Sequence, residues 1–133
     1  MHATSIRGKV RTKGLCHIAI DVSDMERSAK FYTGMFAMDV VGRTAHYVHL
    51  QSSGSHDSFF LFQAAGPVSP QSCGRTHMHF GFRIDEENFA KALDYISRTN
   101  VKVHHNPARG TGHFVYIEDP DGYVIQLEPG DCE

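Results

Sequence analysis

The chain has little of what would force a special fold. Three cysteines, Cys16, Cys73 and Cys132, are an odd number at wide spacing without a CxxC pair, which excludes a disulfide framework and a structural zinc knot and fits a reducing, cytoplasmic setting. No apolar run approaches the roughly 18 residues a membrane span needs. The opening "MHATSIRGKVRTKG" has basic residues with no apolar stretch behind them, so it reads as a tail or edge strand over residues 1–13 and not as a secretion signal. Charge of one sign is also missing. The 13 basic and 15 acidic residues are interspersed and sum to −2, leaving counterion release nothing to work with, so neither nucleic acid nor membrane is expected as a partner.

What the chain does have is histidine, 10 in 133 residues. Histidine is a common metal ligand and the usual proton carrier near neutral pH, which points towards a metal or acid–base site. The length suits one domain able to bury its own core.

The pattern is written twice. In "LCHIAIDV" (15–22), Cys16, Ile18 and Ile20 alternate with His17, Ala19 and Asp21, as a half-buried strand requires. Ser23 and Glu26 have capping-box spacing, and Met25, Ala29, Tyr32, Met35 and Phe36 form one helical stripe. Three strand-like runs follow, "MDVVGR", "HYVHLQ" and "DSFFLFQ". "HMHFGFRI" (77–84) restarts the series, with Asp85 capping a helix whose stripe is Phe89, Ala92, Leu93 and Ile96. Strands near "VKVHH", "HFVYIE" and "YVIQLE" complete it. The unit strand, helix, three strands thus occupies about 14–64 and again 76–131, joined by a Pro, Gly and Ser-rich linker at about 65–75, and the two make one domain over 14–131.

Each unit makes a four-stranded sheet with a helix on one face, and two open faces can enclose a cavity. Strand parity puts His17, His77 and His79, then Val124, Gln126 and Glu128, on the open faces. His46 and His49 have opposite parity, so only one of them can face the cavity. His104 and His105 read as a strand end. "NPARGTGH" (106–113) sets Arg109 beside the last hairpin, either as an exposed connector or as a loop that closes on an anion.

Two βαβββ units, a histidine opening each ("CHIAI", "THMHF"), the helix "DMERSAKFYTGMF" and a final "DPDG" turn into a polar strand resemble the vicinal-oxygen-chelate superfamily, the glyoxalase, bleomycin-resistance and extradiol-dioxygenase proteins. The resemblance implies an α+β fold in which paired modules form a U-shaped mixed sheet around a cavity. It also implies a homodimer, and often a divalent metal such as Zn, Mn, Ni or Fe. By position the family's metal ligands fall on His17, His77 and Gln126, where the third ligand is ordinarily glutamate. Three arrangements stay open: Gln126 binds through its amide oxygen; the ion moves one pleat along to Glu128 and His79; or no metal binds and the cavity holds an organic ligand, with aromatic walls from Tyr47, Phe59, Phe60, Phe62 and Phe114.

With metal, the expected activity is that of a lyase or isomerase on a small oxygen-rich substrate, Glu128 and His79 being the acid–base candidates. Without it, the expectation is a small-molecule binding protein of the bleomycin-resistance type. Subfamily patterns are incomplete. Fosfomycin-type proteins carry threonine where Ala19 stands, glyoxalase I takes a further ligand from the strand holding "FFLFQ", where Gln63 is the one candidate, and extradiol dioxygenases use a carboxylate where Gln126 stands.

Overall fold

A computed structural model describes residues 9–70, 79–105 and 114–130, the side chains of His104 and His105 excepted. His77, Cys73, Cys132 and the Arg109 loop lie outside the described residues. The first module runs β1 (Ile18–Val22), α1 (Met25–Phe36), β2 (Asp39–Arg43), β3 (Tyr47–Gln51) and β4 (Phe59–Gln63). The second runs β5 (Phe80–Ile84), α2 (Glu86–Ser97), β6 (Val103–His105), β7 (Val115–Glu118) and β8 (Val124–Pro129). The sheets have the matching orders β1-β4-β3-β2 and β5-β8-β7-β6. In each, the first and last strands of the module are parallel and the other pairings antiparallel. The fold is thus α+β, built from two βαβββ modules. Residues 9–13 are exposed and form no strand, and no helix among the described residues is long and apolar enough to cross a membrane.

Alternation decides which side chains enter the core. Val22, Val48, Leu50, Phe59 and Leu61 of the first sheet and Val115, Ile117, Ile125 and Leu127 of the second are buried in one cluster with Ala29 and Tyr32 of α1 and Phe89 and Ile96 of α2. Rings cross between the modules: Phe36 lies 4.6 Å from Phe82 and Phe59 lies 5.2 Å from Phe80, centroid to centroid. Leu93, placed by its spacing on the buried stripe of α2, is instead 41% exposed, and Tyr95 of the same helix is also exposed. The apolar stripe of α2 is therefore narrower than its sequence suggests.

The start of α1 also departs from its sequence pattern. Asp24 is the N-cap, its carboxylate accepting the Arg27 N–H, so the Ser23–Glu26 capping box does not form. Ser23 is drawn elsewhere, its N–H donating to Asp121 Oδ2 at 3.0 Å and its Oγ facing the backbone of Val68, while Glu26 pairs with Arg43. Asp85 caps α2 as its position implies.

The DPDG turn locks the modules together. Asp119 Oδ1 accepts the backbone N–H groups of Asp121, Gly122 and Tyr123, and its Oδ2 accepts the Tyr32 hydroxyl of α1 at 2.7 Å. Asp121 pairs with Arg27 of α1 at 2.8 Å, and the Tyr123 hydroxyl donates to Asp21 O on β1. Gly122, at φ +100°, takes the left-handed conformation that lets the turn feed β8. The orientation of β8, and hence of Gln126 and Glu128, is set by these contacts to the other module.

Candidate functional site

On the first sheet the face away from the helix carries an aromatic group. His17, which immediately precedes β1, meets the edge of Phe60 at 5.5 Å, and its Nδ1 lies 3.2 Å from Cys16 Sγ. His49 stacks on the same Phe60 ring at 4.2 Å, its Nε2 3.0 Å from Ser58 Oγ, and Tyr47 packs against Phe60 and Phe62. Phe60 and Phe62 alternate with the buried Phe59 and Leu61, so His17 is on the open face and not under the helix. Of the two histidines with opposite parity, His49 joins this face and His46 sits exposed in the β2–β3 turn. Among the described residues His17 Nε2 has no hydrogen-bond partner. Phe59, one of the expected aromatic walls, belongs to the core instead.

On the second sheet the open face carries the polar residues. His79 Nε2 lies 3.3 Å from Gln126 Oε1. An amide oxygen can only accept, so in this contact the imidazole N–H is on Nε2 and donates to the Gln126 carbonyl. His79 also meets the edge of Tyr116, which is Gln126's cross-strand neighbour and touches Phe114. Val124 is buried but stands outside the core cluster, as its parity requires. Gly81 is Gln126's partner on β5, and a Cβ there would lie 2.7 Å from the Gln126 backbone oxygen. Only glycine lets β5 approach β8 this closely, which brings His79 within reach of Gln126.

Two hollows flank this segment of β5. One, of about 330 Å³, is lined by His79, Gly81, Arg83, Gln126 and Glu128. The other, of about 210 Å³, brings Cys16 and His17 of the first module against Phe80, Gly81 and Phe82 of the second. Glu128 is exposed and makes no ion pair among the described residues. Gln63 is committed elsewhere: its amide caps the start of α1, accepting the Met25 N–H and donating to Ser23 O. It offers the cavity no ligand.

Among the described residues no three of His, Cys, Asp and Glu come together as a metal site, and His77 is not among them. His17 and Gln126, two of the expected ligands, line separate hollows, His17 the one between the modules and Gln126 the one on the second sheet, so the described residues of one chain do not bring them together. An imidazole nitrogen and an amide oxygen are each donor types that suit a divalent ion of borderline softness. Alternation alone does not distinguish His49 from His46 as the histidine on the open face. The signal for His49 is the shared parity with Tyr47, Phe60 and Phe62, visible only once the register of β3 against β4 is known.

Residues 14–127 match the Glyoxalase/Bleomycin resistance protein/Dioxygenase superfamily. The chain belongs to that superfamily. It is 28% identical over 118 residues to the metallothiol transferase FosB of Staphylococcus epidermidis, covering 86% of this chain and 80% of that protein. It is also 28% identical over 123 residues to a probable chloroplastic lactoylglutathione lyase of Arabidopsis thaliana, of whose length it spans only 35%. A fosfomycin resistance protein, FosX, from Listeria monocytogenes superposes with a TM-score of 0.74 at 19% identity, over 92% of this chain and 95% of that one, which shows the shared fold. The superfamily relatives include enzymes, a thiol transferase and a lyase by name.

Proposed function

We propose that this chain is a divalent-metal-dependent lyase or isomerase acting on a small oxygen-rich substrate, with His17, His77 and Gln126 as metal ligands. The observation that supports the reading is the His79–Gln126 contact on the open face of the second sheet, which fixes the amide of Gln126 at the position the family fills with a ligand. Such an ion, when bound, polarises a substrate carbonyl or hydroxyl. Around it, His79 holds the Gln126 carbonyl in place. Glu128, two residues on and on the same face, is the base that takes a proton beside the polarised group. Phe60 and His49 support the His17 ring from behind.

The exposure of Ala19, Phe62, His79 and Glu128 on the open faces supports a homodimer in which a second copy covers them. A cytoplasmic setting goes with this reading. The activities named for FosB and FosX are not extended to this chain, because Ala19 and Gln126 replace the threonine and glutamate of that pattern. A second reading, a metal-free binding protein, draws on the aromatic group of Tyr47, His49, Phe60 and Phe62.

Metal content of untagged protein purified without chelator tests the proposal. Wild type is expected to hold about one ion per chain, His17→Ala and Gln126→Ala to lose about tenfold or more in affinity, and Glu128→Ala to keep the ion. Loss in Glu128→Ala with retention in Gln126→Ala would move the ion one pleat along. Retention in His17→Ala, or no uptake of Zn, Mn, Ni or Fe by wild type, would overturn the metal reading.

A further inference from the structure

We propose that Arg83 recognises a carboxylate on the substrate, so that the site takes small carboxylic acids. The inference rests on the reading of the His79–Gln126 face as the active site. Phe80, Phe82 and Ile84 pack against the core, which turns Arg83 to the open face with His79 and Gly81. The register sets Gly81 against Gln126 and Arg83 against Glu128, and all four line the hollow of about 330 Å³. Opposite charges facing each other across neighbouring strands ordinarily pair. Here neither makes an ion pair among the described residues, although Arg27, Arg43 and Arg98 all do. Arg83 instead passes over Gly130, where a Cβ would come 3.5 Å from its Nη1.

Among the described residues the site therefore holds a guanidinium without an ion-pair partner, on the same face as the uncharged amide of Gln126. A planar fork of N–H donors matches the two oxygens of a carboxylate. The acidic Glu128 on the same face disfavours a second negative charge, so a monoanion fits better than a phosphate dianion. The volume is near the lower end for ligand pockets, which suits an acid of a few carbons. A carboxylate held at Arg83 also places the carbon beside it near Glu128, the group assigned to take the proton.

Arg83 borders a second groove as well, lined by Met35, Phe36, Lys91 and Tyr95, which the test must separate. Calorimetric titration with pyruvate, its uncharged methyl ester and inorganic phosphate would be run on zinc-loaded and on chelator-treated full-length protein. Pyruvate is expected to bind wild type, to weaken about tenfold or more in Arg83→Gln and by less in Arg83→Lys, and to be unchanged in Lys91→Ala. The ester should bind wild type and Arg83→Gln alike. Equal pyruvate affinity in Arg83→Gln, absence of pyruvate binding to wild type, preference for phosphate, or dependence on Lys91 would each overturn the proposal. If wild type takes up no zinc yet binds pyruvate through Arg83, the metal reading alone fails. If it holds zinc and Arg83→Gln changes nothing, the carboxylate proposal alone fails.

Discussion

Gln126→Glu is expected to tighten divalent-metal binding by about tenfold or more. The two side chains have nearly the same shape, so the Oε1 position that faces His79 Nε2 is retained, and the N–H donor on His79 suits a carboxylate even better than an amide. The substitution adds a negative charge at the one place where the family pattern has it and this chain does not. Gln126 is only half-buried, and its neighbours Gly81 and Tyr116 need not move, so stability should change little. Competition with a chromophoric chelator measures the affinity directly. Unchanged or weaker zinc binding would mean that residue 126 does not touch the ion.

Asp119→Ala is expected to cost about 3–5 kcal/mol of folding stability, because it removes at once the acceptor of a buried hydroxyl and of three part-buried backbone N–H groups. The buried carboxylate serves three backbone N–H groups of its own turn and the Tyr32 hydroxyl of the other module. Burial is the largest influence on Asp119 and raises its pKa above the ordinary carboxylate value, while the hydrogen bonds from Tyr32 and the turn pull it back. Burial, with the Asp119 charge alongside, pushes the Tyr32 hydroxyl well above the usual tyrosine range, so it remains a donor at neutral pH. A raised pKa in the folded state means that the ionisation of Asp119 opposes folding. Its contribution to stability is fully present below the unfolded value of about 3.9 and is lost as pH rises through the folded value. Asp119→Asn, which cannot ionise, should lack that pH-dependent component. Urea unfolding of wild type and the Asn and Ala variants across the acid range checks both statements. A loss under about 1 kcal/mol in Asp119→Ala would contradict the role given to this turn.

The repeat was legible because each strand is short and alternates cleanly. The patterns at Ile18–Val22 and Phe80–Ile84, with the helices that follow them, state the two modules and which face of each is buried. The open-face placement of His17, His79 and Gln126 followed from the same parity. The capping of α1 did not. Ser23 and Glu26 have capping-box spacing, but Asp121, nearly a hundred residues away, claims the Ser23 N–H, and Arg43 claims Glu26. Local spacing cannot register competition from a distant turn. The aromatic seat of His17 and the role of Gln63 as a backbone cap were hidden for the same reason, since each depends on which strands lie side by side. His79 presented itself in the sequence as one more cavity histidine. Its contact with Gln126 emerges only from the close approach of β5 and β8 at Gly81.

Anomalous diffraction from crystals of untagged, chelator-free protein, collected at the absorption edge of the ion it retains, is the direct measurement. The account predicts a single strong peak per cavity within about 2.0–2.2 Å of His17 Nε2 and Gln126 Oε1, with His77 completing the set. A peak held by Glu128 and His79, or cavities with no anomalous density after loading with zinc, would contradict it.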